Sequence, residues 1–171
     1  VFGERTQRLF GLVTELYHTQ EDQAFEKLFE RIKKGEDVSD KMENEIGKYL
    51  GDVGSAHLSD ETKEKIRGMM REIGELESVG DSCYNLARIM RRKREHKVWF
   101  DTDLNEGILQ MYVLVDEALT KMNAALGGHR EDFDLEDSFA TEHRINDLRN
   151  NLKQKNIANL DQQLYSYELE S

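Results

Sequence analysis

The chain has 171 residues, no proline, 12 glycines and one cysteine; 35% of it is charged and its formal charge is −11. That length carries one ordinary core. Its Glu, Lys, Arg, Leu and Met suit long amphipathic helices, whereas a sandwich or barrel would recruit the Pro and Asn-Gly turns missing here. The charge disfavours nucleic acid, the lone Cys83 excludes an internal disulfide, and no apolar run approaches a membrane span.

The periodicity predicts five helices in an all-α antiparallel bundle. The first covers about 4–18, with Leu9, Val13 and Leu16 on one face. Asp22 is the expected N-cap of the second. Its seam steps by threes and fours through Phe25, Leu28, Ile32, Gly35, Ser39, Met42, Ile46, Tyr49 and Val53. Gly54-Ser55-Ala56-His57 breaks it, and Ser59 caps the third helix. The third seam is Ile66, Met69, Ile73, Leu76, Gly80, Cys83, Ala87 and Met90, fading near His96. Val98-Trp99-Phe100 reads as an apolar plug at the turn. Asp101 or Thr102 caps the fourth helix, whose seam is Ile108, Tyr112, Val115, Leu119, Met122 and Leu126. Gly127-Gly128 ends it. The fifth helix is expected over about 134–160, with Leu135, Phe139, Ile145, Leu148, Leu152 and Ile157 inward.

A weak repeat relates helices one and two to helices four and five. Leu9, Val13 and Leu16 fall on Val115, Leu119 and Met122; Glu36, Asp40, Met42 and Ile46 fall on Glu142, Asn146, Leu148 and Leu152. The counterpart of helix three would continue past Ser171. The chain therefore reads as a three-helix unit over 1–100 and an incomplete unit over 101–171, the sixth helix absent, in one compact domain. The face that helix would cover predicts oligomerisation, as a homodimer, or partial disorder.

Two segments stand out chemically, Glu36-Asp37-Val38-Ser39-Asp40 and Glu77-Ser78-Val79-Gly80-Asp81. Each stacks a Glu and an Asp one helical turn apart beside the apolar seam, next to a small seam residue. Like charges at that spacing cost a few tenths of a kcal/mol, and a mid-helix glycine costs about 1 kcal/mol against alanine. Close helix approach is one reason to accept both; four carboxylates converging on a hard cation is another. Glu43, one turn on, would add a ligand. The commoner arrangement is boundary carboxylates paired with Lys or Arg across the groove. A third copy, Glu142 with Asn146, carries an amide in place of the Asp and makes a weaker half-site.

The basic run Arg88, Arg91, Arg92, Lys93, Arg94 and Lys97 suits a helix C-terminus; contact with anionic lipid is the functional alternative. Glu15 and His18 form a single Glu-x-x-His, and a di-iron site needs two. No glycine-rich phosphate loop or serine elbow is present, so the sequence reads as a regulatory or metal-binding module and not an enzyme.

The segment from Glu75 to Arg88, reading Glu-Leu-Glu-Ser-Val-Gly-Asp-Ser-Cys-Tyr-Asn-Leu-Ala-Arg, resembles the signature helix of PhoU-type domains. Glu36 to Ile46 resembles its companion acidic helix and Glu142 to Leu152 the repeat's counterpart. Arg94 to Phe100 resembles the cytoplasmic C-terminal domain of bacterial sodium/phosphate cotransporter-like proteins. The resemblance implies a pseudo-repeat of three-helix units. It further implies control of phosphate uptake at the cytoplasmic side of the inner membrane, with the parent's transmembrane transporter portion as partner. It also implies a divalent metal or multinuclear cluster of Fe, Zn, Mn or Mg on Glu36, Asp40, Glu77 and Asp81, with Glu142 and Asn146 as a partial second site. A helical metalloenzyme or metal store and a purely structural adaptor are the other readings the residues allow.

Overall fold

The apolar periodicity folds as helix throughout. The computed structural model describes residues 1–55, 58–97, 100–128 and 135–169, and the side chains of all of these except 135 and 159–169. Among them lie five helices and no strand: α1 (Phe2–His18), α2 (Asp22–Gly54), α3 (Asp60–Glu95), α4 (Thr102–Leu126) and α5 (Leu135–Leu169). The chain divides into two compact units, Val1–Lys97 and Val98–Ser171.

Helix boundaries follow local chemistry. Glu21, one residue before the expected Asp22, caps α2 by accepting from the Gln23 and Ala24 amides at 2.9 and 2.6 Å. Ser59 accepts from Thr62 N and Asp101 from Leu104 N, as their positions predict. Gly127 ends α4, and Gly128 takes a φ of 84°, a conformation that favours glycine. Nothing stops α5 at the expected Leu160, and it runs to Leu169.

In the first unit α1, α2 and α3 each pack against the other two. The core joins Leu9, Val13 and Leu16 to Phe25, Leu28, Phe29 and Ile32 of α2 and to Leu76, Cys83 and Ala87 of α3. Arg94, near the end of α3, ties the α1–α2 corner. It donates to the carbonyls of Thr19 and Gln20 and, through Nε at 2.9 Å, to the Asp22 carboxylate. The side chains of four cations of the basic run lie over rings: Arg88 over Tyr84, Arg91 over Phe29, Arg94 over Phe25 and Lys93 over Tyr17. At about 1.5 Å per residue, the 17-residue α1 is roughly half as long as its neighbours of 33 and 36 residues. It ends at the corner that Arg94 ties, so the far ends of α2 and α3 run on as a pair.

Two seam assignments are corrected. Tyr49 is 67% exposed and Leu50 takes the buried position at 7%; Met69 is exposed as well. From Ile46 the buried stripe advances by four and not three, the ordinary drift of a straight helix of 3.6 residues per turn.

The second unit is the α4–α5 pair. Gly107 of α4 faces Leu152 of α5. Nearer the other end of the pair lies a polar network: Lys121 Nζ meets Glu117 at 2.9 Å, Asp137 at 2.6 Å and the buried Thr141 hydroxyl at 2.7 Å. Arg144 bridges back to Glu117 at 3.1 Å. Val113, Leu126, Phe139 and Ile157 are exposed, so Leu126, Phe139 and Ile157 leave the seams expected for them.

Candidate functional site

Leu9 organises the acidic helices. A Cβ at Gly35 would lie 2.7 Å from Leu9 Cδ1, and one at Gly80 would lie 3.9 Å from Leu9 Cδ2 and 3.6 Å from Ser39 Cβ. Gly35, Ser39 and Gly80 thus form a notch that receives Leu9 and lets α2 and α3 approach. Ser39 turns its hydroxyl back onto the Gly35 carbonyl at 3.1 Å. The small residues are explained by packing.

The carboxylates sit one position further round. Glu36, Asp40 and Asp81 each bring a carboxylate oxygen within 4.8 Å of the other two. Glu77 lies beside Asp81 and feels the charges of Asp81, Glu43 and Asp40. Among the described residues none of Glu36, Asp40, Glu43, Glu77 and Asp81 forms an ion pair with a Lys, Arg or His. Pairing across the groove, the common fate of such residues, does not occur here.

The crowding is visible in the titration. Burial, then the charges of Asp40, Asp37, Asp81 and Glu77, raise the Glu36 carboxyl above its ordinary value of 4.5. Burial, then Asp81, Glu43 and Asp40, raise Glu77. Each binds its proton more tightly in the folded chain than in the unfolded one. Their penalty to folding is therefore fully present above the raised values and vanishes as pH falls below the unfolded value. The metal-free protein should gain thermal stability from these groups as pH falls from neutral toward the ordinary carboxyl value of 4.5. In a Glu36→Gln/Glu77→Gln variant that gain should be missing from the melting profile. Superimposable profiles would mean that the two carboxyls are not strained.

A cation would relieve the same strain, and the donor set suits one. All-carboxylate oxygen donors suit hard divalent cations.

Of the predicted ligands, Glu36, Asp40, Glu77 and Asp81 meet in the first unit. Glu142, exposed, and Asn146, half-buried, lie one turn apart on α5 in the second unit. Glu15 and His18 are exposed. His57, His129, Val98 and Trp99 lie outside the described residues. Phe100, the third residue of the expected plug, is 37% exposed. Cys83 is buried, and burial pushes its thiol up to about 12, which makes it a packing residue. Within the basic run, Arg91 pairs with Glu26 and Glu95, and Arg94 with Asp22, which leaves less free charge there than the sequence suggests.

The Glu117–Lys121–Thr141 network went unread in the sequence. Its signal is the i,i+4 spacing of Glu117 and Lys121, one of many such pairs in a chain this charged. The hydrogen bond with Lys121 lowers the Glu117 carboxyl, and the one with Asp137 raises the Lys121 ammonium.

The fold and cluster define an all-helical bundle protein with an unpaired carboxylate group between two helices. No protein-family model, curated protein or solved structure matches the chain. No helix among the described residues is long and apolar enough to cross a membrane.

Proposed function

We propose that this chain is a PhoU-like regulatory module that binds a divalent cation, or a cluster of them, between α2 and α3, and that it acts on phosphate uptake through contact with a sodium-coupled transporter at the inner face of the membrane. One observation carries the binding half: Glu36, Asp40 and Asp81 converge from two helices with no cationic side chain to neutralise them. Glu77 and Glu43 stand ready to complete the shell. The regulatory half rests on the resemblance of Glu75 to Arg88 and Glu36 to Ile46 to the PhoU signature helices. A bound ion would tie α2 to α3 and make the stiffness of that pair depend on cation supply. All-oxygen ligation favours hard ions without choosing among Mg, Mn, Fe and Zn.

The test is metal content after purification without chelator, followed by a Mn²⁺ titration of the parent and of Asp40→Asn/Asp81→Asn. The parent should hold metal stoichiometrically and the variant should bind at least ~100-fold more weakly. A parent that takes up none of Mg, Mn, Fe or Zn would sink the cation site. In cells carrying the whole parent protein, the same substitutions should alter phosphate uptake. Unchanged uptake with metal lost would leave a structural adaptor, the reading that the packing role of Gly35, Ser39 and Gly80 already favours.

A further inference from the structure

The two helices of the second unit differ in length: α4 has 25 residues and α5 has 35. Gly107 faces Leu152, and Lys155 meets Asp103, in the first turn of α4, at 3.8 Å. From Ile157 to Leu169, about 13 residues or roughly 20 Å, α5 therefore runs beyond the start of α4. The apolar pattern changes face at the same point. The line that meets α4 passes through the buried Thr141 and the half-buried Ile145, Leu148 and Leu152. Continued at the helical period, it reaches Lys155, Asn159, Gln163 and Ser166, all polar. A second line opens roughly a third of a turn round the helix. Ile157, 49% exposed, leads it, and Leu160, Leu164 and Tyr167 follow at steps of three, four and three. That spacing is the seam of a helix pair, and a helix of this length is marginal in water by itself.

We propose that this end of α5 pairs antiparallel with the same segment of a second copy of the chain, Leu160 of each opposite Leu164 of the other and Ile157 opposite Tyr167. The occupant follows from the pattern and the charge. Run antiparallel about a two-fold axis, the four positions meet one another and leave none over, as a self-complementary contact requires. Lys153 and Lys155 precede the apolar line, whereas Asp161 and Glu168 lie within and beside its later half. Antiparallel pairing sets the basic end of one copy beside the acidic end of the other, and parallel pairing would set like against like. The polar line through Asn159 and Gln163 stays in solvent. This interface is independent of the cation site, since it uses the second unit alone.

Sedimentation of the chain from about 1 µM to about 1 mM should show a reversible monomer–dimer equilibrium with a Kd on the order of 10 µM, because about 13 residues a side fall short of the roughly 20–30 of a standard interface. Leu160→Asp/Leu164→Asp should weaken the dimer at least ~10-fold and leave the melting of the α4–α5 pair unchanged, both positions lying beyond α4. Ile89→Asp, at a first-unit position 51% exposed, tests for general apolar adhesion and should leave Kd within about twofold. On oxidation, a mixture of Leu160→Cys and Leu164→Cys chains should form the mixed disulfide faster than either variant cross-links alone; Cys83 is buried and does not compete. A chain that stays monomeric throughout, a dimer that survives the double substitution or is lost in Ile89→Asp, or self-cross-linking of Leu160→Cys as fast as the mixture would each overturn the proposal.

Discussion

Leu16→Ala should lower stability by about 2–5 kcal/mol. Leu16 is 1% exposed, in a three-helix core that also buries Val13 and Ile32 completely. Truncation loses the transfer free energy of the removed carbons and leaves a cavity, and the outcome within that range depends on how far the walls close. Here they have little freedom. The corner after α1 is held by Arg94 through Thr19, Gln20 and Asp22, and further along α1 Leu9 is keyed into the notch at Gly35 and Gly80. A result near the upper end is therefore expected from urea denaturation followed by circular dichroism. Ile32→Val, which removes one methylene from the same core, should cost about 0.5–1.5 kcal/mol. A Leu16→Ala loss below about 1 kcal/mol would mean that α1 does not pack on α2 and α3 as described.

The rule that made the first unit legible also shows where reading stopped. A stripe at i, i+3, i+4 finds one face, and Leu9, Val13 and Leu16 are all buried. Phe2, Thr6 and Phe10 are buried too, because α1 touches two neighbours and its covered arc is wider than one stripe. Thr6 looked polar, yet its hydroxyl bonds back to the Phe2 carbonyl at 3.2 Å, which removes the penalty of burial. The exchange of Tyr49 for Leu50 has another origin: a stepping pattern extrapolated over a long helix accumulates phase error, and a tyrosine scores as apolar whether or not its ring is inward.

For the site, spacing was enough to stack Glu on Asp within each helix. It could not decide whether opposite charges would answer them, since that depends on which face of α3 meets α2. Near the start of α3 the cations pair within their own helix, Lys63 with Asp60, Lys65 with Glu61 and Arg67 with Glu64. The cations nearest the α1–α2 corner are drawn to the Phe25, Phe29 and Tyr17 rings. The carboxylates at the α2–α3 contact are left with each other. Local pairing rules predict the first outcome, and only the three-dimensional arrangement gives the second.

Gly107→Leu should open the α4–α5 pair and cost about 1–3 kcal/mol through overpacking. Even a methyl group at Gly107 would run into Leu152 Cδ2 and stand 3.2 Å from its Cγ, and a leucine extends three carbons further. Higher helix propensity offsets up to about 1 kcal/mol of that, so the strain itself exceeds the measured loss. The helices cannot simply slide apart, because the register of the pair is held elsewhere: the buried Thr141 hydroxyl is held by Lys121 and Glu117, and Arg144 reaches Glu117 from the next turn. Combining Gly107→Leu with Leu152→Ala supplies the missing volume from the opposite helix. The double variant should therefore be more stable than the sum of the single losses by about 0.5–3 kcal/mol. Additive losses would place Gly107 and Leu152 out of contact, with the register of α4 against α5 set by the distant polar network and not by this pair.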